Sequence, residues 1–188
     1  MTGSIRIDGK TEALSPGDTL LSVARRAGAE IPTLCHANGL SPEGGCRLCL
    51  VEVEGEARPR AACHTPAVSG MLVRTNTASL EALRRDILGL ILEAHPEGDF
   101  AASPGPFRDL LRRYGLETPA RRDLSASPID RMDRSHPYLR FDPGRCITCR
   151  RCLHACEEWQ GLFVYGGEGR GADTRLVFGA GETFAESP

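Results

Sequence analysis

The sequence predicts an α+β chain: a small sheet packed on one helix, then a longer helix, then a cysteine-rich region. Three observations carry this expectation. Polar and apolar residues alternate over Ser4–Ile7 and Leu48–Val53, the period of half-buried strands, and Met71–Arg74 reads as one more strand. Leu20, Leu21, Val23, Ala24 and Ala27 recur at helical spacing between the first two of these runs. Strands and a helix mixed within about 75 residues form an α+β unit, not a bundle or an all-β sandwich.

Each element has a local reason. Asp8-Gly9 is a tight-hairpin pair, and Thr11 to Leu14 returns as a second strand. Asp18 is the expected N-cap of the first helix, and Gly28 closes it. Gly55 turns the chain after Val53, so that Arg58 to Ala62 can pair back. Ser79 to Ala94 reads as the strongest helix. Leu80, Leu83, Ile87, Leu90, Ile91 and Ala94 share one face, with Glu81, Arg84, Arg85 and Asp86 placed mostly opposite. His95-Pro96 ends it, and His95 is expected to be a helix-terminal residue held by a local hydrogen bond. Residues 96 to 106 read as loop, Phe107 to Tyr114 as a short helix stopped by Gly115, and 117 to 135 as a polar linker. The expected domains are 1–78, 79–116, a linker over 117–137, and 138–188.

Composition narrows the function. Net charge is −2, with no basic stripe, which speaks against a nucleic-acid partner. The start Met1-Thr2-Gly3-Ser4-Ile5-Arg6-Ile7-Asp8 lacks the basic and apolar pattern of a secretory signal. The longest apolar run, Ile87 to Ala94, is broken by Glu93 and falls short of a span, so no direct membrane insertion is expected. The expected location is cytoplasmic, with any membrane association made through partner subunits. In a reducing compartment, eight cysteines point to metal binding rather than disulfides. No phosphate loop, dinucleotide fingerprint or hydrolase motif is found, so no catalytic residue is assigned. Gly166 to Gly171 is glycine-rich but follows the cysteine region, and it reads as a turn.

The first cysteines are spaced Cys35-x10-Cys46-x2-Cys49-x13-Cys63. Four thiolates, two for each iron, suit a [2Fe-2S] cluster. Gly39, Gly44 and Gly45 let the long loop turn tightly and bring N–H groups close. Spacing alone leaves two alternatives: a four-cysteine zinc site, or thiols that merely pack. Zinc sites usually present two close pairs, and only Cys46 and Cys49 form one here.

The flanking residues are more specific. Ile31-Pro32-Thr33-Leu34-Cys35-His36, Gly44-Gly45-Cys46-Arg47-Leu48-Cys49-Leu50-Val51-Glu52-Val53 and Ala62-Cys63-His64-Thr65-Pro66 resemble one family's N-terminal ferredoxin domain. That family comprises the complex I large iron–sulfur subunit, NAD-dependent formate dehydrogenases and iron-only hydrogenases. The resemblance implies a β-grasp fold and a [2Fe-2S] cluster on Cys35, Cys46, Cys49 and Cys63. It also implies a small helical domain with a [4Fe-4S] cluster on one histidine and three cysteines. Here the frame persists at Ile91-Leu92-Glu93-Ala94-His95-Pro96 and Leu110 to Gly115, but no cysteine lies between. Phe100, Ser103 and Phe107 stand where ligands are sought, so the expectation is a degenerate domain without a cluster.

Cys146-x2-Cys149-x2-Cys152-x3-Cys156 is a ligand run for cubane clusters, in which the fourth cysteine normally serves a second cluster. A helix starting between Cys152 and Cys156 is expected to turn them apart, and zinc is the alternative. Phe141 to Ile147 and Ala155 to Gly161 resemble the family's two-cluster [4Fe-4S] module, closest to the formate dehydrogenase and hydrogenase branches. A second run is due after Arg175 to Phe178, but the sequence stops at Pro188, so a fragment with half of the module is expected. The cofactors implied are one [2Fe-2S] and one [4Fe-4S] cluster, with two cubanes in a longer chain. The implied function is an electron-transfer module of a multi-subunit, formate dehydrogenase-like oxidoreductase. It would relay single electrons between a flavin/NAD-binding subunit and a molybdopterin or other catalytic subunit. A standalone ferredoxin-like carrier or iron–sulfur interaction protein is the alternative.

Overall fold

Seven strands and four helices were located in a computed structural model that describes residues 3–94, 105–116, 132–179 and 182–187. The chain divides into two compact units: 1–36 with 42–88, and 37–41 with 89–188.

The first unit opens with the hairpin β1 (Ser4–Ile7) and β2 (Lys10–Ala13). Asp8 and Gly9 both have positive φ, 47° and 86°, the type I′ turn that matches strand twist. Helix α1 (Leu20–Arg26) follows, then β3 (Leu50–Val53), β4 (Arg60–Ala61) and β5 (Leu72–Arg74). The sheet order is β2-β1-β5-β3-β4; β1 and β5 run parallel, and the other pairs are antiparallel. This mixed sheet, with α1 contributing to the same core, is a β-grasp-like arrangement. Ile5, Ile7, Val51, Val53 and Val73 point inward from the strands to meet Leu20, Leu21, Val23 and Ala24. Alternation in β1 is complete: Ile5 and Ile7 are buried, Ser4 and Arg6 exposed.

The N-cap is one residue later than expected. Thr19 Oγ1 accepts the Ser22 N–H while Ser22 Oγ accepts that of Thr19, a reciprocal capping box. Asp18 sits just outside and does different work. Its carboxylate accepts from Ser15 N–H, Ser22 Oγ and both terminal nitrogens of Arg26.

Helix α2 (Ala78–Glu93) has the expected length but a different buried face. Leu80, Arg84, Leu88 and Leu92 are buried, whereas Leu90 is 65% exposed. The inward row is the i, i+4 series from Leu80, and it carries Arg84 into the interior instead of leaving it opposite. The first part of α2 therefore belongs with the sheet unit.

In the second unit, α3 (Pro106–Arg113) buries Phe107 and Leu111, and Gly115 beyond it has φ 60°. Helix α4 (Arg151–His154) runs into a wider π-helical turn over Ala155–Trp159. Strands β6 (Tyr165–Glu168) and β7 (Arg175–Phe178) form a hairpin. Gly166 and Gly167 thus lie in a strand, not in the expected turn, which starts only at Gly169. A Cβ on Gly169 would sit 2.2 Å from the Asp173 carbonyl oxygen, so no other residue fits there. Phe178 meets Phe141, Tyr165 and Phe184 at centroid distances of 4.8 to 5.3 Å, the aromatic core of this unit. The readings at His95, Phe100 and Ser103, and most of the linker, fall outside the described residues.

Candidate metal centre

All four N-terminal cysteines lie in the first unit as free thiols, and Cys35, Cys49 and Cys63 are buried. Their positions follow from the elements around them. Cys49 immediately precedes β3, and Cys63 follows β4, the strand paired with β3. The Ala62 N–H donates to the Cys49 carbonyl at 3.0 Å, so the ladder itself holds these two ligands together. The turn after Cys63 is tight: the N–H groups of His64 and Thr65 and the Thr65 hydroxyl all donate to the Ala61 carbonyl. The start of α1 closes over this turn, with Leu20 N–H donating to Thr65 O and Leu21 N–H to Ala62 O, both at 2.9 Å.

The thiols form two pairs. Cys35 Sγ donates to Cys46 Sγ at 3.3 Å, and the Cys46 N–H donates back to Cys35 Sγ at 3.4 Å. Cys49 and Cys63 form the second pair in that each shifts the other's acidity. Within each pair one proton is shared unequally. The hydrogen bond from Cys35 brings Cys46 down to about 5, against its burial, with the Leu48 and Leu34 N–H groups assisting. The hydrogen bond from Cys63 brings Cys49 down to about 7. Cys35 and Cys63 are pushed up, first by holding those protons and then by burial. Binding a metal requires every thiol of both pairs to give up its proton. Arg47, between Cys46 and Cys49, has φ 57°, the left-handed conformation that turns successive N–H groups to one side.

Among the described residues, no three Cys, His, Asp or Glu side chains are arranged to hold a single metal ion. Two separated thiol pairs suit a two-iron group, which takes two thiolates per iron.

The C-terminal run is arranged differently. Cys146 follows a short 3-10 turn, Pro143–Arg145, and Cys149 lies in a loop between two left-handed residues, Thr148 (φ 49°) and Arg150 (φ 59°). Burial pushes the Cys146 and Cys152 thiols up; Cys149 adds to the first shift, and Cys146 and Cys149 to the second. No helix starts between Cys152 and Cys156, because α4 begins at Arg151, before both. Cys152 lies in α4 and Cys156 in the π-helical turn that continues it from Ala155. The same helical end meets the segment 37–41: Trp159 Nε1 donates to Gly39 O at 3.0 Å, and Ser41 N–H to Glu158 Oε2 at 2.8 Å.

Residues 3–78 match the family described as a 2Fe-2S iron-sulfur cluster binding domain. An NADH-quinone oxidoreductase subunit of Rhizobium meliloti is 36% identical over 176 residues, 92% of this chain. The N-terminal region of this chain is a [2Fe-2S] domain of the matched family. The alpha subunit of the NADPH-Fe(3+) oxidoreductase of Geobacter sulfurreducens is 38% identical over 82% of the chain. A chain in the crystal structure of NAD+-reducing [NiFe]-hydrogenase in its H2-reduced state aligns over the full length of this one, with a TM-score of 0.85 and 29% identity. This chain covers 80% of the hydrogenase chain, but only 21% of the Rhizobium relative and 18% of the Geobacter one. Family members share the [2Fe-2S] domain, and the residues just described fit that group.

One residue at this site escapes a reading of the sequence. Arg84 is 1% exposed, and its guanidinium donates to the carbonyls of Leu48 and Leu50, on either side of Cys49. The only sequence signal is its place in the i, i+4 row from Leu80.

Proposed function

We propose that this chain is an electron-transfer module of a multi-subunit NAD(P)-linked oxidoreductase. Cys35 and Cys46 would hold one iron of the [2Fe-2S] cluster, and Cys49 and Cys63 the other. The observation that carries this reading is the gathering of four thiols in one unit, Cys35 against Cys46 at 3.3 Å and Cys49 beside Cys63 across the β3–β4 ladder. When bound, the cluster accepts and returns one electron. The chain's residues hold the thiolates, direct the Cys46 N–H at the Cys35 sulfur, and limit solvent.

Cys146, Cys149 and Cys152 are proposed to take three corners of a [4Fe-4S] cluster, with Cys156 directed to a second one. Their mutual electrostatic influence supports the first part. The domain layout proposed is a [2Fe-2S] domain over 1–78, a helical domain over 79–116 without a cluster, a linker over 117–137, and a cubane segment over 138–188. Phe107, buried where the family places ligand chemistry, supports the second assignment. The partners are a flavin/NAD-binding subunit and a catalytic subunit; the Rhizobium and Geobacter relatives are named for NADH- and NADPH-linked reactions. A molybdopterin formate site is the finer version of this reading. The lack of cysteine between Cys63 and Cys146 supports a second version, a self-contained carrier, because a relay would lose one stepping stone.

Iron and sulfide analysis with low-temperature EPR on anaerobically reduced protein tests the assignment. Wild-type chain is expected to show a [2Fe-2S] signal, and Cys63→Ala to lose it while keeping any faster-relaxing signal. A persistent [2Fe-2S] signal in Cys63→Ala, or zinc in place of iron, would overturn it.

A further inference from the structure

We infer that Arg84 is a positioning residue for the [2Fe-2S] centre: it clamps the Cys49 ligand and places a buried positive charge beside the cluster, favouring the reduced state. The inference rests on the ligand assignment above. Arg84 Nε donates to Leu48 O at 3.2 Å, and Nη2 to Leu50 O at 2.8 Å and Thr75 O at 2.9 Å. Nη1 donates to Glu81 Oε1 at 2.5 Å. One planar fork thus ties the end of the ligand loop, the start of β3 and the approach to α2. Lysine, with a single ammonium on a flexible stem, cannot reproduce that geometry.

A simple packing role does not account for the residue. A leucine would fill the same row of α2 without the cost of desolvating a guanidinium. Three of the four acceptors are neutral carbonyls, which satisfy the donors but leave the charge. The one carboxylate, Glu81, is 33% exposed and screened by water, so the neutralisation is partial. A cation held by the carbonyls on either side of a ligating thiolate lowers the energy of an added electron.

The full chain is titrated potentiometrically by EPR, and iron release to a chelator is timed. At fixed potential, Arg84→Gln should lower the reduced-to-oxidised ratio about tenfold, equal to about 59 mV for one electron, and should release iron faster. Arg84→Lys should keep the wild-type midpoint but also release iron faster, which separates charge from clamp. Glu81→Gln should raise the ratio a few-fold and leave the release rate unchanged. If Arg84→Gln does not fold, Arg84→Lys and Glu81→Gln decide the same two points. Unmoved midpoints in Glu81→Gln and Arg84→Gln would overturn the charge effect, and wild-type release rates in Arg84→Lys would overturn the clamp. A wild-type chain with no [2Fe-2S] signal would instead overturn the ligand assignment itself.

Discussion

Asp18 shows how a residue can be placed correctly and understood wrongly. The sequence marks it as a cap; the structure gives the cap to Thr19 and makes Asp18 the anchor of Arg26 at 2.8 Å. The ambiguity is physical, because Asp and Thr are both good caps and nothing local ranks adjacent positions. The Arg26 hydrogen bonds, with Ser15 and Ser22 adding, hold the Asp18 carboxyl well below its usual 3.8. A depressed carboxyl contributes stability above its unfolded value and loses it as pH falls through the folded one. Asp18→Asn should therefore cost about 1 kcal/mol, a modest figure because solvent screens the pair. Urea titrations should give a smaller penalty at about pH 3 than at about pH 7, because below its ordinary value the unfolded carboxyl takes up protons that the folded one does not. A penalty that is the same at both would mean the carboxyl is not depressed. The grouping of Cys35, Cys46, Cys49 and Cys63 in one unit is legible by spacing, whereas their pairing is not, because it depends on which strand brings Cys63 beside Cys49.

At the scale of elements, the strands of the five-stranded sheet and the two main helices lie within about two residues of where the sequence puts them, whereas β6 occupies part of an expected turn. The face of α2 was harder to read. Hydrophobicity assigns Leu90 inward and Arg84 outward, but the carbonyls of Leu48, Leu50 and Thr75 need donors, and Arg84 supplies them. Tertiary hydrogen bonding thus outweighs the apolar pattern. Leu80 lies on the same row in the shared core, so Leu80→Ala should cost about 2 to 5 kcal/mol. Leu90→Ala, on the exposed side, should cost less than about 0.5 kcal/mol. Thermal or urea unfolding of the two variants checks the assignment, and equal penalties would contradict the observed face.

For the whole molecule, the division into two compact units makes the cysteine sets separable. Cys152→Ser should leave the [2Fe-2S] signal and two irons per chain intact while removing any iron beyond two. Loss of the [2Fe-2S] signal in that variant would show that the sets are assembled together. The absence of cysteine in the middle region was legible directly from the sequence. What fills the space there was legible only in part: Phe107 proves buried on α3, while Phe100 and Ser103 lie outside the described residues.

The left-handed residues Arg47, Thr148 and Arg150 carry a consequence for how the chain matures. Each carries a Cβ in a conformation that costs about 1 to 2 kcal/mol, and each lies between cysteines of a proposed ligand set. Under the ligation proposed above, thiolate–iron bonds would offset that cost, and binding of the group would be the step that fixes each loop. A loaded chain would then hold these three residues more firmly than an empty one, a difference that hydrogen exchange at their amides would read.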